Sequence, residues 1–197
     1  MSYELKPLSC DPAKLTGLSE KLIVSHWENN YGGAVKRLNA IEGKLAELDW
    51  ASTPVFVVNG LKREELIAAG SMILHEVYFD SLGGAGGDPD GALKGAIVRD
   101  FGSMDAWRTE FSAMGKAQGG GSGWTLLAWS PRRNRLVNAW AADHAHNLAG
   151  ATPLIALDMY EHSYHIDFGA KTDAYVDAFM QNLSWTAAEA AFNSTGA

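Results

Sequence analysis

The 197-residue chain has a single cysteine, Cys10, so no internal disulfide can form and nothing calls for an oxidising compartment. No motif surrounds that thiol, which reads as structural rather than nucleophilic. Long hydrophobic runs are missing: none approaches the about 18 apolar residues that a membrane span needs, and the opening MSYELKPLSCDPAKL lacks the apolar stretch of a secretory signal. These absences exclude a membrane partner and make the cytoplasm the expected location. Basic clusters are scarce as well. The longest is the Arg132, Arg133, Arg135 turn, in a chain of net charge −7, which argues against nucleic acid as a partner. No internal repeat is visible. With 47% hydrophobic and 20% charged residues the balance is that of a soluble globular protein, long enough to bury a real core. Disorder is expected only at the end of the chain, over 193–197.

The first half reads as helices. Ser19 is placed to cap one whose apolar positions, Leu22, Ile23, Val35, Leu38, Ile41, Leu45 and Leu48, recur at helical spacing. Asn29-Asn30-Tyr31-Gly32-Gly33 interrupts that pattern and predicts a bulge or break. After a connection over 50–60, a second helix is expected over 62–82, giving an antiparallel hairpin. GGAGGDPDG, at 83–91, reads as a linker and sets the expected boundary between a helical hairpin domain, 1–84, and an α/β domain, 89–197. There Asp88-Pro89 should open a helix running to about Asp100, and Ser103 should cap another to about Gln118. Strands are expected at 124–129, 136–141 and 152–158, the first two joined by a Ser-Pro-Arg-Arg-Asn turn, followed by a closing helix over 173–185. The fold class is α+β: a helical hairpin, then an α/β domain with a small, three-stranded, mainly antiparallel sheet.

Thr152 to His162, TPLIALDMYEH, is the most informative stretch. Its apolar run ends on Asp158, and a carboxylate at the end of a buried strand needs a cation. His162, four residues on, suggests that the cation is a metal. Of the six histidines, His26 and His75 each sit on the apolar face of a predicted helix. Taken singly, each reads as a satisfied core histidine; taken together with Asp158 and His162 they make three imidazoles and a carboxylate. That donor set suits a mid-row metal such as iron or manganese. A different grouping makes His144 and His146 a metal pair, since residues i and i+2 share one face of a strand.

Five segments resemble the iron/manganese superoxide dismutase family: LSEKLIVSHWENNYGGAVKRLN, MILHEVYFDSL, GALKGAIVRDFGSMDAWRTEF, GSGWTLLAW, and DMYEHSYHIDF with YVDAFMQNLSW. The likeness is collinear from about Leu18 to Trp185. It implies one manganese or iron ion per subunit, held by His26, His75, Asp158 and His162, and a reaction turning superoxide into dioxygen and hydrogen peroxide. It also implies a second-shell donor that sets the proton affinity at the metal. The second-helix position for that donor is Ser71, which is too short, and ADHAHN offers His144 instead. Trp124 would pack against the ligands as part of an apolar wall, while two of the family's apolar tryptophans shrink here to Phe79 and Tyr160. Glu161 would reach the metal-bound histidine of a partner subunit, so a homodimer, possibly a tetramer, is implied. Gly70 resembles the manganese pattern, Tyr78 the iron pattern, and His144 occurs with both.

The chain reads as a divergent member. The family's gate tyrosine is replaced by Ala34, with Tyr31 one helical turn earlier as a substitute, and the two dimer-contact positions are Asn30 and His165, which can bond to one another across the interface. A usual arginine is Thr172. Lys36, Arg37 and Lys171 are the candidates for drawing an anion toward a chain of net charge −7. The missing gate also motivates an alternative in which the fold and the metal are kept but the protein stores metal or has weak peroxidase-like activity.

Overall fold

The computed structural model describes residues 2–196. Helix α1 spans Glu20–Ser25 and starts where the sequence places it, with Ser19 Oγ accepting from Leu22 N at 3.1 Å. The helix does not break at the Asn-Asn-Tyr-Gly-Gly segment. It widens into a π-helical turn over His26–Tyr31 and resumes as α2, Gly32–Ala46. Asn29 Nδ2 donates to Ser25 O at 2.9 Å, adding a bond where the backbone ladder is stretched. Such turns commonly mark functional positions, and this one begins on His26.

Helix α3 runs over Val55–Asp80, seven residues longer at its start than the expected 62–82. The Val-Phe-Val-Val segment looks extended by propensity, but that preference is worth only tenths of a kcal/mol per residue. An Asp49-centred turn outweighs it: Ser52 Oγ and Ala51 N bind the carboxylate at 2.6 and 3.0 Å, and Thr53 Oγ1 donates to Asp49 O. Pro54 then leads directly into the helix. Helices α2 and α3 pack as the antiparallel hairpin.

The glycine-rich segment at 83–91 is held against the last third of the chain by Gly84 N donating to Asn182 O and Gly86 N to Leu183 O. At Gly84 a Cβ would lie 2.1 Å from Leu183 O, so only glycine fits. Helix α4 spans Gly91–Phe101, and its cap is Asp90, not Asp88. Asp88 is drawn away by Lys94 and Arg108, at 3.2 and 2.9 Å, while Asp90 N donates to Glu189 Oε1. Helix α5, Met104–Ala117, is capped by Ser103 as expected, its Oγ accepting from Ala106 N at 3.0 Å.

Strands β1 (Trp124–Ser130), β2 (Arg135–Ala141) and β3 (Thr152–Asp158) form an antiparallel sheet in the order β2-β1-β3. Asn134, at φ 47°, takes the left-handed residue of the hairpin turn, which asparagine tolerates. The register sets Trp124 opposite Asp158 and Ala141, at one end of the sheet. A short α6, His165–Phe168, leads to α7, Thr172–Gln181. That helix stops four residues before the expected 185, and a further helix α8, Thr186–Ser194, follows. Residues 193 and 194, expected to be disordered, belong to α8; Ala197 lies outside the described residues. Burial decides this end of the chain: Trp185 packs on Trp107 with ring centroids 4.9 Å apart, and Phe192 on Trp129 at 5.6 Å. Replacing Ser103 by alanine should lower the unfolding free energy by about 1 kcal/mol and leave the fold unchanged, as urea titration followed by circular dichroism would read.

Candidate metal centre

Two ligand candidates come from the helices and two from the end of the sheet. His26 opens the π turn after α1, and His75 lies in the last part of α3. Asp158 is the last residue of β3, and His162 follows in a 3-10 turn over Glu161–Ser163. Asp158 is fully buried, because the apolar run before it packs into the core and draws its last residue in. Its Oδ1 accepts from Tyr160 N at 2.8 Å. Its Oδ2 faces three imidazole nitrogens: Nε2 of His26 and of His162, each at 3.2 Å, and Nε2 of His75 at 3.5 Å. One donor atom from each of the four residues lies within 4.8 Å of all the others.

These contacts are not ordinary ion pairs. Burial pushes the His26 imidazole below its usual range, against the Asp158 carboxylate that favours its protonation. Burial, reinforced by His26, pushes His75 down to about 3. Both rings are therefore neutral near pH 7. Against the cost of burial, the neighbouring His162 and His26 imidazoles hold Asp158 well below the usual carboxylate range.

The tautomers follow from the neighbours. His75 Nδ1 lies 2.7 Å from Ser71 O, which only accepts, so Nδ1 carries the proton and Nε2 presents a lone pair. Nε2 of His75 and both ring nitrogens of His26 are buried with no hydrogen-bond partner among the described residues. Leaving such atoms unpaired costs about 1–3 kcal/mol each. Two buried, unpartnered imidazole nitrogens, that of His75 unprotonated, aimed with an aspartate and a third imidazole at one point fit a single divalent or trivalent cation. Supporting groups that the sequence reading did not single out hold the loop after β3: Tyr175 Oη and Ser163 Oγ both donate to Asp158 O at 2.8 Å. Their type gave no signal, since a hydroxyl bonding to a backbone carbonyl leaves no spacing pattern.

His144 sits in the loop between β2 and β3, not on a strand, so it shares no strand face with His146. His146 is exposed and turned to Asp143 at 2.8 Å, which removes the His144–His146 pair. Trp124 Nε1 donates to His144 Nδ1 at 3.1 Å. Indole N–H can only donate, so a neutral His144 carries its own proton on Nε2. The His144 ring stacks on Tyr160 at 4.7 Å, and Tyr160 on His162 at 5.4 Å. Phe79 packs on His26 at 5.1 Å. Gly70 is required here: a Cβ would fall 1.9 Å from His144 O, so helix α3 and the His144 loop approach backbone to backbone at this point.

A cavity of about 350 Å³ leads to this cluster and is lined by Asn30, Ala34, Arg37, His75, His144 and His162 among others. Tyr31 does not line it. The Tyr31 ring lies 6.5 Å from His75, but its hydroxyl donates to Glu76 Oε1 at 2.9 Å and accepts from Lys6 N at 3.2 Å. Its hydroxyl is held by Glu76 and Lys6 rather than at the cavity, so one-turn helical spacing misplaces it as a substitute gate. Lys36 and Lys171 are also absent from the lining, while Arg37 is present. Glu161 and His165 are exposed beside His162, and Asn30 is half-buried.

The buried neutral histidines predict acid sensitivity of the metal-free protein. His75 titrates near 3 when folded and near 6.5 when unfolded, so between those values the unfolded chain binds more protons. Stability should be full above pH 6.5 and fall as pH drops toward 3, by about 1 kcal/mol per pH unit for such a histidine. Urea midpoints at pH 7, 6 and 5 check this; His75→Gln should flatten the trend.

Residues 89–191 match the model of the iron/manganese superoxide dismutase C-terminal domain, just over half of the chain. An iron superoxide dismutase of Cupriavidus metallidurans is 73% identical over 98% of this chain and 97% of that protein. An iron superoxide dismutase of Aquifex aeolicus is 38% identical over 88% and 84% of the two chains. A manganese superoxide dismutase of Halobacterium salinarum is 37% identical over 93% and 91%. The likeness thus spans both the helices that carry His26 and His75 and the strand that carries Asp158, and the chain belongs to the iron/manganese superoxide dismutase family.

Proposed function

We propose that the protein is a superoxide dismutase holding one iron or manganese ion per subunit at His26, His75, Asp158 and His162. The observation that carries this reading is the pair of buried, unpartnered Nε2 atoms of His26 and His75 converging with His162 on Asp158 Oδ2. The bound ion supplies one-electron chemistry, oxidising one superoxide to dioxygen and reducing a second, with two protons, to hydrogen peroxide. The chain's own residues do the rest. Ser71 O fixes the ring of His75, and Trp124 fixes that of His144. His144 then offers its Nε2 proton at the cavity, while Tyr160 and Phe79 keep the surroundings apolar. The named relatives include both iron and manganese enzymes, and the donor set accepts either.

We read the working unit as a homodimer. Among the described residues His162 bonds only through Nε2. Glu161, its chain neighbour, is exposed, and an isologous pairing would set Glu161 of one subunit on His162 of the other. We infer a place in the cytoplasm, which the lone thiol of Cys10 supports; among the described residues no helix is long and apolar enough to cross a membrane. A metal-storing relative with little turnover is the weaker reading, given the iron superoxide dismutase 73% identical over nearly the whole chain.

Purified from cells supplied with iron or manganese, the protein should carry about one ion per chain and remove superoxide. Full loading with negligible dismutation would favour storage. His75→Ala should abolish metal retention measured by elemental analysis. His144→Ala should keep the metal and lose roughly 10- to 100-fold in turnover; a turnover unchanged at full loading would remove His144 from its proposed role.

A further inference from the structure

The chain has net charge −7, and an anion approaching it meets repulsion at long range. The family's gate position is filled by Ala34, and the cavity behind it, about 350 Å³, is far larger than the about 30 Å³ share of a water molecule. Alanine at that position offers an entering anion no hydrogen bond, which leaves charge near the cavity to draw it in. Among the residues lining the cavity, Arg37 is the only one with a permanent charge. It stands on α2, three residues after Ala34, and is more than half exposed. Its guanidinium pairs with Glu64 of α3, across the two helices of the hairpin. Glu64 is shared, since Arg63 also contacts it at 3.0 Å, so the cluster of two arginines and one carboxylate keeps a net positive charge. The Arg37 charge also acts on His144, adding to the burial that lowers its imidazole.

We propose that Arg37, held over the cavity mouth by Glu64, is the anion-capturing residue of this enzyme: it draws superoxide past Ala34 toward His144 and His162. This rests on the dismutase reading above. Arg37 is a guiding residue, acting on encounter rather than on the electron transfer itself, so kcat/KM and its dependence on salt should move while kcat at saturation does not.

The test compares metal-loaded wild type with Arg37→Gln, Arg37→Lys and Arg132→Gln, each checked for equal metal content. Arg132 lies in the exposed β1–β2 turn, so its loss changes the net charge equally but away from the cavity. Arg37→Gln should lower kcat/KM for superoxide roughly two- to five-fold at low ionic strength and flatten its decline with added salt. Arg37→Lys should retain most of the rate, and Arg132→Gln should stay near wild type. Azide, titrated as a small anion and followed by visible absorbance, should bind Arg37→Gln more weakly by a similar factor. An unchanged salt slope and azide affinity in Arg37→Gln, or an equal loss in Arg132→Gln, would overturn the proposal. Should loaded wild type fail to remove superoxide at all, the dismutase reading falls, and the azide titration still decides whether Arg37 captures anions.

Discussion

A carboxylate buried at the end of a strand is the constraint on which this structure turns. Leu154, Ile155, Ala156 and Leu157 are all buried, and the register of β3 against β1 leaves Asp158 no route to water. An ionised group in that position is tolerated only when its partners are charged or strongly polar. One oxygen is satisfied by the backbone of Tyr160 and the carbonyl by two hydroxyls, which leaves Oδ2 as the atom the rest of the fold has to answer. The answer is three imidazoles, two of them neutral and buried, and neutral imidazoles do not balance a negative charge. A cation among them does.

That cation would also join the two parts of the chain. The helical part supplies His26 and His75, and the part after the glycine-rich segment supplies Asp158 and His162. Each pair alone leaves buried nitrogens or a buried carboxylate uncompensated. Together they form a site whose occupation stabilises the folded state by mass action, so metal binding and the mutual packing of α3 with β3 are energetically one process. Gly70 extends the same link, since the direct backbone contact between α3 and the His144 loop sets the distance from the second ligand to the proposed proton donor.

The candidate ligands could be picked out of the sequence because their chemistry has both a residue type and a spacing. Asp158 and His162 follow an apolar strand at fixed separation, and His26 and His75 stand out as polar rings on apolar helix faces. The sheet was legible for a similar reason, its strands being bounded by Gly and Ser-Pro-Arg-Arg-Asn. What escaped was decided by long-range partners. Asp88 has the look of a cap but is claimed by Arg108 and Lys94, which leaves the helix to begin at Asp90. Helix α8 is held by tryptophan packing with α5 and β1 that no local pattern announces. The proton position on His75 depends on a carbonyl, and every residue has one.

Tyr31 shows how tertiary partners redistribute roles. One-turn spacing from Ala34 suggests it as the filler of a lost gate. Its ring packs instead by His75, where burial, with Glu76 beside it, pushes the phenol up to about 12. A phenol so raised keeps its proton throughout the physiological range. Its bonds to Glu76 and to the backbone of Lys6 tie the N-terminal segment to α3. Tyr31 is thereby committed to bracing the helix that carries His75, and the cavity keeps only alanine where a hydroxyl would have stood. Tyr31 therefore serves the scaffold of the candidate metal site and not its cavity.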